Sequence, residues 1–460
     1  MRRRSGGRYE MDMCSGPLLN KVLQFALPLM ATGILQLLYN AADIIVVGRF
    51  AGKTALAAVS STGSLINLIV NLFMGLSVGA SVVVARRYGA GDYAGVSKVL
   101  HTAVMLSIIS GIFVGILGFA LSRTLLEMMD SPADVIDQAT LYLRIYFVGI
   151  PFALVYNYCA ASLRAIGDTK RPLYYLSISG AVNVILNMIL VVVFHMGVAG
   201  VAIATAVSQV VSMVLIVICL LRSEGCIHLD PKKLRIDLPE LKEVLKIGLP
   251  AGLQSSVFAI SNVLIQSSIN SFGSAVMAAN GAAGNIEGFI YTAMNSISQA
   301  TLTFTGQNMG AKKYSRVPRI LGACCVLVTA VGLFAGVAAY LGGPVLLQLY
   351  TTDPEVVTIG LVRLSFVGLP YFICGLMEVA AGMLRGCGYS MTPMIVSMLG
   401  ACAFRVVWIY TLFAANPTLN MLYVSYPISW LLTTAAHLAC FYFVWKKMPK
   451  TDAEELSVQS

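Results

Sequence analysis

Twelve times between residues 22 and 445 the chain passes through a long apolar run bounded by charged or polar turn residues. Each run is longer than the roughly 20 helical residues needed to cross the hydrocarbon core of a bilayer. The runs are 22–47, 55–84, 99–121, 139–162, 172–194, 198–221, 244–270, 275–306, 320–341, 357–384, 393–414 and 421–445. In lipid every backbone polar group must be satisfied within its own segment, so such runs fold as helices. Composition agrees: 58% of residues are hydrophobic, only 11% are charged, and the mean hydropathy is +0.81. A soluble domain carries about 25% charge because something must face water. The chain therefore reads as an all-α polytopic membrane protein. The longest soluble stretch, 222–243, leaves no room for an ATPase module, a receptor ectodomain or a separate catalytic domain.

The basic residues give the orientation. Of 31 Lys and Arg, 25 fall in the N-terminus, in alternate loops and after the last run, from Arg2, Arg3, Arg4 and Arg8 to Lys446, Lys447 and Lys450. The opposite loops hold only Arg49, Lys53 and Arg123, while Arg144, Arg363 and Arg405 lie within runs. Cytoplasmic loops carry the basic excess, so both termini are expected in the cytoplasm of a cell-membrane protein. The acids Glu127, Asp130, Asp134, Asp137, Asp353 and Glu355 then face outward. On this reading the net charge of +10 serves topology and anionic headgroups, not nucleic acid. The first run is too long for a signal-peptide core and lacks a cleavage pattern, so it is expected to stay. Ten scattered cysteines show neither zinc-ligand spacing nor an external disulfide framework. Gly48-Arg-Phe-Ala-Gly52-Lys53-Thr54 is one spacer short of a phosphate-binding loop and reads as a turn.

The second half echoes the first. Val22-Leu23-x-x-x-Leu27-Pro28 returns as Val244-Leu245-x-x-x-Leu249-Pro250, and Gly89-Ala90-x-x-Tyr93 as Gly310-Ala311-x-x-Tyr314. Phe147-Val-Gly-Ile-Pro151 returns as Phe366-Val-Gly-Leu-Pro370, and Arg164-x-x-Gly167-x-x-x-x-Pro172 as Arg385-x-x-Gly388-x-x-x-x-Pro393. The offsets are 222, 221, 219 and 221. Six helices per repeat return the chain to its starting side, so the halves share one orientation. Two six-helix lobes related by a pseudo-two-fold axis along the membrane normal are expected, a plan suited to alternating access. The expected boundaries are 1–221 for the first lobe, 222–243 for a cytoplasmic linker, 244–447 for the second lobe and 448–460 for a tail.

Ionisable groups inside spans are costly and point to function. Asp43 lies in a stripe with Gln36, Tyr39 and Asn40, at i, i+3, i+4 and i+7 of the first helix, hence on one face. Asn183 and Asn187 share a face of the fifth helix, and Thr205 and Gln209 a face of the sixth. A carboxylate among amides and hydroxyls binds a proton or strips water from a small cation. The alternative role for the amides is interhelical hydrogen bonding that holds a bundle together. Glu287 and Arg405 both come near mid-depth, where an ion pair between them is expected, structural or functional. Glu378, seven residues before Arg385, is placed toward the inner mouth. Arg144 and Arg363, repeat-related and near outer helix ends, are expected to snorkel.

Twelve spans, the six-plus-six repeat, Leu-Pro early in helices 1 and 7, and Arg-x-x-Gly-x-x-x-x-Pro after helices 4 and 10 resemble the multidrug and toxic compound extrusion (MATE) family. The resemblance runs from about Pro17 to Lys447 and is closest to the prokaryotic branch named for a DNA-damage-inducible protein. That branch has Leu-Tyr-Asn-x-x-Asp in its first helix, matched by Leu38-Tyr39-Asn40-Ala41-Ala42-Asp43. The resemblance implies export of cationic or amphipathic compounds in exchange for H+ or Na+. It implies that Asp43 is the ion-responsive aspartate, with Asn183 a ligand from helix 5 and Thr205 one from helix 6. Asn187 departs, since the branch has a second aspartate there. With one charge fewer, a Na+ site is expected to be weaker, and H+ is the favoured coupling ion.

The leading reading is a secondary active antiporter and not an enzyme. It needs no cofactor beyond the coupling ion, acts on small molecules within the lipid bilayer, and is expected to be a monomer. Gln36, Tyr39, Asn40, Gln209, Glu287 and Arg405 are the candidate cavity residues. The alternative is a lipid-linked precursor flippase of the same superfamily, which calls for a broad cationic cleft and commonly extra helices. An intramembrane enzyme needs a nucleophile with its base or a metal cluster, and no such spacing occurs.

Overall fold

The computed structural model describes residues 9–129, 132–449 and 452. The cluster Arg2–Arg8, Asp130 and Lys450 lie outside the described residues. All regular structure among the described residues is helical. The long helices are α1 (Leu18–Ala51), α2 (Lys53–Gly89), α3 (Tyr93–Met128), α4 (Ile136–Ala165), α5 (Lys170–Val193) and α6 (Gly197–Arg222). They are followed by α7 (Leu238–Asn270), α8 (Ser274–Gly310), α9 (Val317–Leu341), α10 (Pro354–Gly386), α11 (Met391–Phe413) and α12 (Leu419–Lys446). Each expected run lies within one of these twelve helices to within a residue or two. Eleven helices are long and apolar enough to cross a membrane. The other, α8, is 37 residues long but interrupts its apolar surface with Asn280, Glu287 and Asn295. This is the two-lobe, twelve-helix architecture expected from the sequence.

Helix starts follow local chemistry. Asp92 caps α3 by accepting a hydrogen bond from Gly95 N at 2.9 Å, and Asp353 caps α10 by accepting from Glu355 N at 2.9 Å. The Arg-x-x-Gly-x-x-x-x-Pro motif closes α4 and α10. Gly167 and Gly388 take φ of +100° and +91°, where a side chain would be strained, and turn the chain toward α5 and α11. Wide π-type turns also recur at the repeat offset, at Met188–Val193 in α5 and Ile409–Phe413 in α11.

The chain divides into two compact units. One comprises Ala31–Gly252 and the described residues before Met13; the other comprises Met13–Met30 and the described residues from Leu253 onward. The edges fall inside α1 and α7, just beyond Pro28 and Pro250, which both lie within helix. In the first unit Gly75 and Gly79 of α2 meet Gly248 and Gly252 of α7. A Cβ on Gly75 would stand 2.2 Å from the Gly252 backbone, so only glycine permits this approach. Arg87 at the end of α2 pairs with Glu240 at 2.9 Å and Asp92 at 3.3 Å. The 222–243 stretch packs on α3: Asp230 N donates to His101 Nε2 at 3.0 Å and Asp237 N to Thr102 Oγ1 at 3.1 Å. In the second unit Phe25 meets Phe304 edge-on at 5.9 Å, and Asn308 Nδ2 donates to Met13 O at 3.1 Å.

Candidate functional site

Asp43 stands one helical turn before the π-type turn Val47–Ala51 that ends α1. Asn187 directly precedes the corresponding turn of α5. Such wide turns are rare and concentrate where side chains must be aimed. Asn187 Nδ2 donates to Asp43 Oδ1 and, at 3.1 Å, to Asn183 Oδ1. Asn183 Nδ2 in turn reaches Thr205 Oγ1 of α6 at 3.5 Å. The Thr205 hydroxyl donates to Val201 O at 3.0 Å and lies beside Asp43. Three helices thus bring their expected polar residues to one point in the first unit. Asn187 is 1% exposed, and its Oδ1 has no hydrogen-bond partner. A buried carbonyl oxygen left open beside a carboxylate is costly unless a proton donor or cation reaches it.

The rest of the α1 stripe is placed less uniformly. Tyr39 OH donates to Ser177 O at 3.3 Å, and its ring lies against Gly180, where a Cβ would stand 1.8 Å from Cε2. This contact sets α1 against α5 one turn before Asp43. Gln36 and Asn40 are exposed and stand apart from the Asp43 network. Gln209 packs on α4 instead: its Oε1 would be 2.2 Å from a Cβ on Gly149, and its side chain lies beside Tyr146.

In the second unit the expected Glu287–Arg405 pair is not formed. Arg363 takes Glu287, with Nε donating to Oε1 at 2.9 Å and Nη2 to Oε2 at 2.8 Å. Arg363 Nη1 donates to Asn280 Oδ1, and Asn280 Nδ2 to Tyr423 OH at 2.8 Å. Arg363 therefore does not snorkel; it is 8% exposed. Its partners explain this, since Glu287 and Asn280 take Nε, Nη2 and Nη1 inside the bundle. Its repeat mate Arg144 does remain exposed, over the Phe119 ring at 5.3 Å. Arg405 donates from Nε to Ser429 Oγ at 2.8 Å and lies over the Tyr426 ring at 4.4 Å. Glu378 is half-buried near Arg385 and Tyr291, and its main-chain carbonyl accepts from Ser298 Oγ at 2.8 Å. Asn280, Tyr423 and Tyr426 escaped the sequence reading. Asn280 lies seven residues, two helical turns, before Glu287, a spacing that could have flagged it.

A second polar chain runs through this unit from the end of α10. Arg385 Nη2 donates to Gln254 Oε1 at 2.8 Å, Gln254 Nε2 to Ser397 Oγ at 3.2 Å, and Ser397 Oγ lies 3.3 Å from His437 Nε2. Among the described residues no three His, Cys, Asp or Glu side chains cluster as a metal site.

Comparison with known proteins accords with this architecture. The MatE family model matches residues 28–189 and again 250–411, beginning at Pro28 and at its repeat mate Pro250. The chain is 27% identical over 441 residues to the probable multidrug resistance protein YpnP of Bacillus subtilis (strain 168), covering 95% of this chain and 98% of that one. It is 24% identical over 391 residues to the probable multidrug resistance protein NorM of Thermotoga maritima, covering 84% of each. Its fold is similar to a multidrug resistance MATE transporter of the MOP superfamily solved in an outward-facing conformation. There the TM-score is 0.90 at 22% identity, covering 97% of this chain and 100% of the other. A MOP superfamily transporter from Pyrococcus furiosus superposes with a TM-score of 0.90 at 22% identity, covering 95% and 98%. One family model matched twice, at the spacing of the internal repeat and over most of the chain, makes this protein a member of the MATE family of membrane transporters.

Proposed function

We propose that the protein is a secondary active antiporter that exports cationic or amphipathic small molecules from the cell in exchange for H+ or Na+. The observation that carries this reading is the Asp43–Asn187–Asn183–Thr205 network, which holds one carboxylate among neutral oxygens on three helices. Multidrug resistance relatives support the cargo class.

The side-chain chemistry suggests how an ion changes the protein. An ionised Asp43 accepts the Asn187 amide N–H. A protonated Asp43 offers an O–H and loses an acceptor, so the amide gains by turning its open Oδ1 toward it. The contact between α1 and α5 thereby has two arrangements, selected by the ion. A Na+ at the same place would draw on Asp43, Asn187, Asn183 and Thr205 oxygens with a single carboxylate charge, which weakens binding of a hard cation. H+ is therefore the favoured coupling ion. The basic loops support a cell-membrane location with both termini cytoplasmic.

The test is efflux of a fluorescent cationic dye from proteoliposomes under separately imposed pH and Na+ gradients. Export driven by the pH gradient is expected, and dye movement that ignores both gradients would overturn the antiport reading.

A further inference from the structure

Two arginines are buried in the second unit, and only one has an anion. Arg363 spends Nε and Nη2 on Glu287 and Nη1 on Asn280. Arg405, 3% exposed on α11, has no ion pair among the described residues. Its Nε is used by Ser429, but its Nη2 has no hydrogen-bond partner. The ionisable side chains around it are Tyr426, Cys374, Cys402 and Tyr371, none of them a carboxylate. The Tyr426 and Trp430 faces, at 4.4 and 5.6 Å, offset only part of the cost of this burial. A guanidinium taken out of water without a counter-charge costs more than that. The chain places a carboxylate where it needs a structural counter-ion and places none here.

We infer that Arg405 is an oxyanion subsite, with Nη2 donating to the carboxylate or phosphate of an amphipathic molecule. The apolar part of that molecule fits the aromatic wall beside it, where Tyr371 and Tyr426 meet Trp430 at 5.2 and 5.8 Å. Ser261 of α7, buried and beside the Cys402 thiol, adds a hydroxyl at its edge. The inference rests on the reading of the chain as an exporter of amphipathic molecules and adds to the cargo an acidic group that the Asp43 site cannot recognise. The same chemistry is carried by an acidic cargo and by an anionic phospholipid headgroup.

The experiment uses the full chain in nanodiscs with Trp408→Phe and Trp445→Phe, which leaves Trp430 as the energy-transfer donor. The probes are a dansyl-labelled fatty acid and its methyl ester, titrated without any gradient. The acid is expected to bind about tenfold tighter, the effect of one charge-assisted hydrogen bond. Arg405→Gln should bring acid and ester to the same affinity, while Ser429→Ala, which keeps the charge, should preserve the preference. Nanodiscs of phosphatidylcholine with and without phosphatidylglycerol separate the two sources: competition by phosphatidylglycerol assigns the subsite to a headgroup, and its absence to cargo. Equal binding of acid and ester by the unsubstituted Arg405 protein would overturn the inference, whether or not Arg405→Gln folds. A preference that survives in Arg405→Gln would do the same. Acid binding that persists while gradient-driven export fails would count against the antiport reading alone.

Discussion

Arg363 grips Glu287 with two nitrogens, Nε on Oε1 at 2.9 Å and Nη2 on Oε2 at 2.8 Å, and both side chains are buried. Removing one partner of such a pair strands the other, at a cost of about 3–5 kcal/mol. Glu287→Gln should therefore lower the thermal midpoint of the detergent-solubilised protein sharply. Glu287→Gln combined with Arg363→Gln should recover most of the loss. A single variant that melts like the parent would deny the pair a structural role.

Asp43→Asn should keep the fold and abolish gradient-driven export. The amide is nearly isosteric but can neither cycle a proton nor bring charge to a cation. Solubility and melting midpoint should stay close to those of the parent while efflux falls to the empty-liposome rate. Parental efflux rates would reduce Asp43 to a structural polar group.

Asn187→Asp should raise Na+ dependence. A second carboxylate beside Asp43 adds charge for a hard cation where the parent has a neutral oxygen. Efflux under a Na+ gradient alone should increase relative to efflux under a pH gradient alone. If the parent is already strongly Na+-dependent and the substitution changes nothing, position 187 lies away from the ion.

Cys226 provides a test of sidedness. It lies in the 222–243 stretch, in the short turn Gly225–Ile227, and burial pushes its thiol up to about 11. Only the thiolate reacts, so each unit of pH below that value should raise the alkylation rate about tenfold. In a variant retaining only this cysteine, an impermeant maleimide should label inside-out vesicles and spare intact cells. Labelling of intact cells would reverse the orientation.

Gly180→Ala should impair transport through Tyr39. The new methyl would stand 1.8 Å from the ring, so α1 must move away from α5 and carry Asp43 from Asn187. Overpacking of this kind costs about 1–3 kcal/mol. Tyr39→Ala on the same background should restore stability, and a stable Gly180→Ala protein with full export would separate the ring contact from the ion site.

The helices and their repeat were readable because lipid allows a chain few choices. Apolar length, basic loops and recurring Pro and Gly positions follow from solvation and backbone geometry alone. The Asp43 stripe was readable for the same reason, since helical spacing puts its members on one face. Partner choice was not. Spacing gives the depth of Glu287, but which arginine meets it depends on how α8, α10 and α11 rotate about their axes. Spacing alone puts Arg363 near an outer helix end and suggests snorkelling, whereas Glu287 and Asn280 on α8 hold it inside. Gln36 shares a face with Asp43, and Gln209 one with Thr205, yet both stand apart from their network, because a helical face is wider than one cluster of hydrogen bonds.

The division of α1 and α7 between the two units bears on the order of synthesis. On the ribosome, Met13–Met30 emerges long before Phe304 and Asn308, the residues it packs against. The first unit likewise waits for Gly248 and Gly252, which emerge only after the 222–243 stretch, before its Gly75–Gly79 face is covered. The first unit therefore cannot reach its final packing when α1 to α6 have left the ribosome. The opening segment of α1 must wait through the synthesis of six further helices, and truncation before α7 leaves both units incomplete.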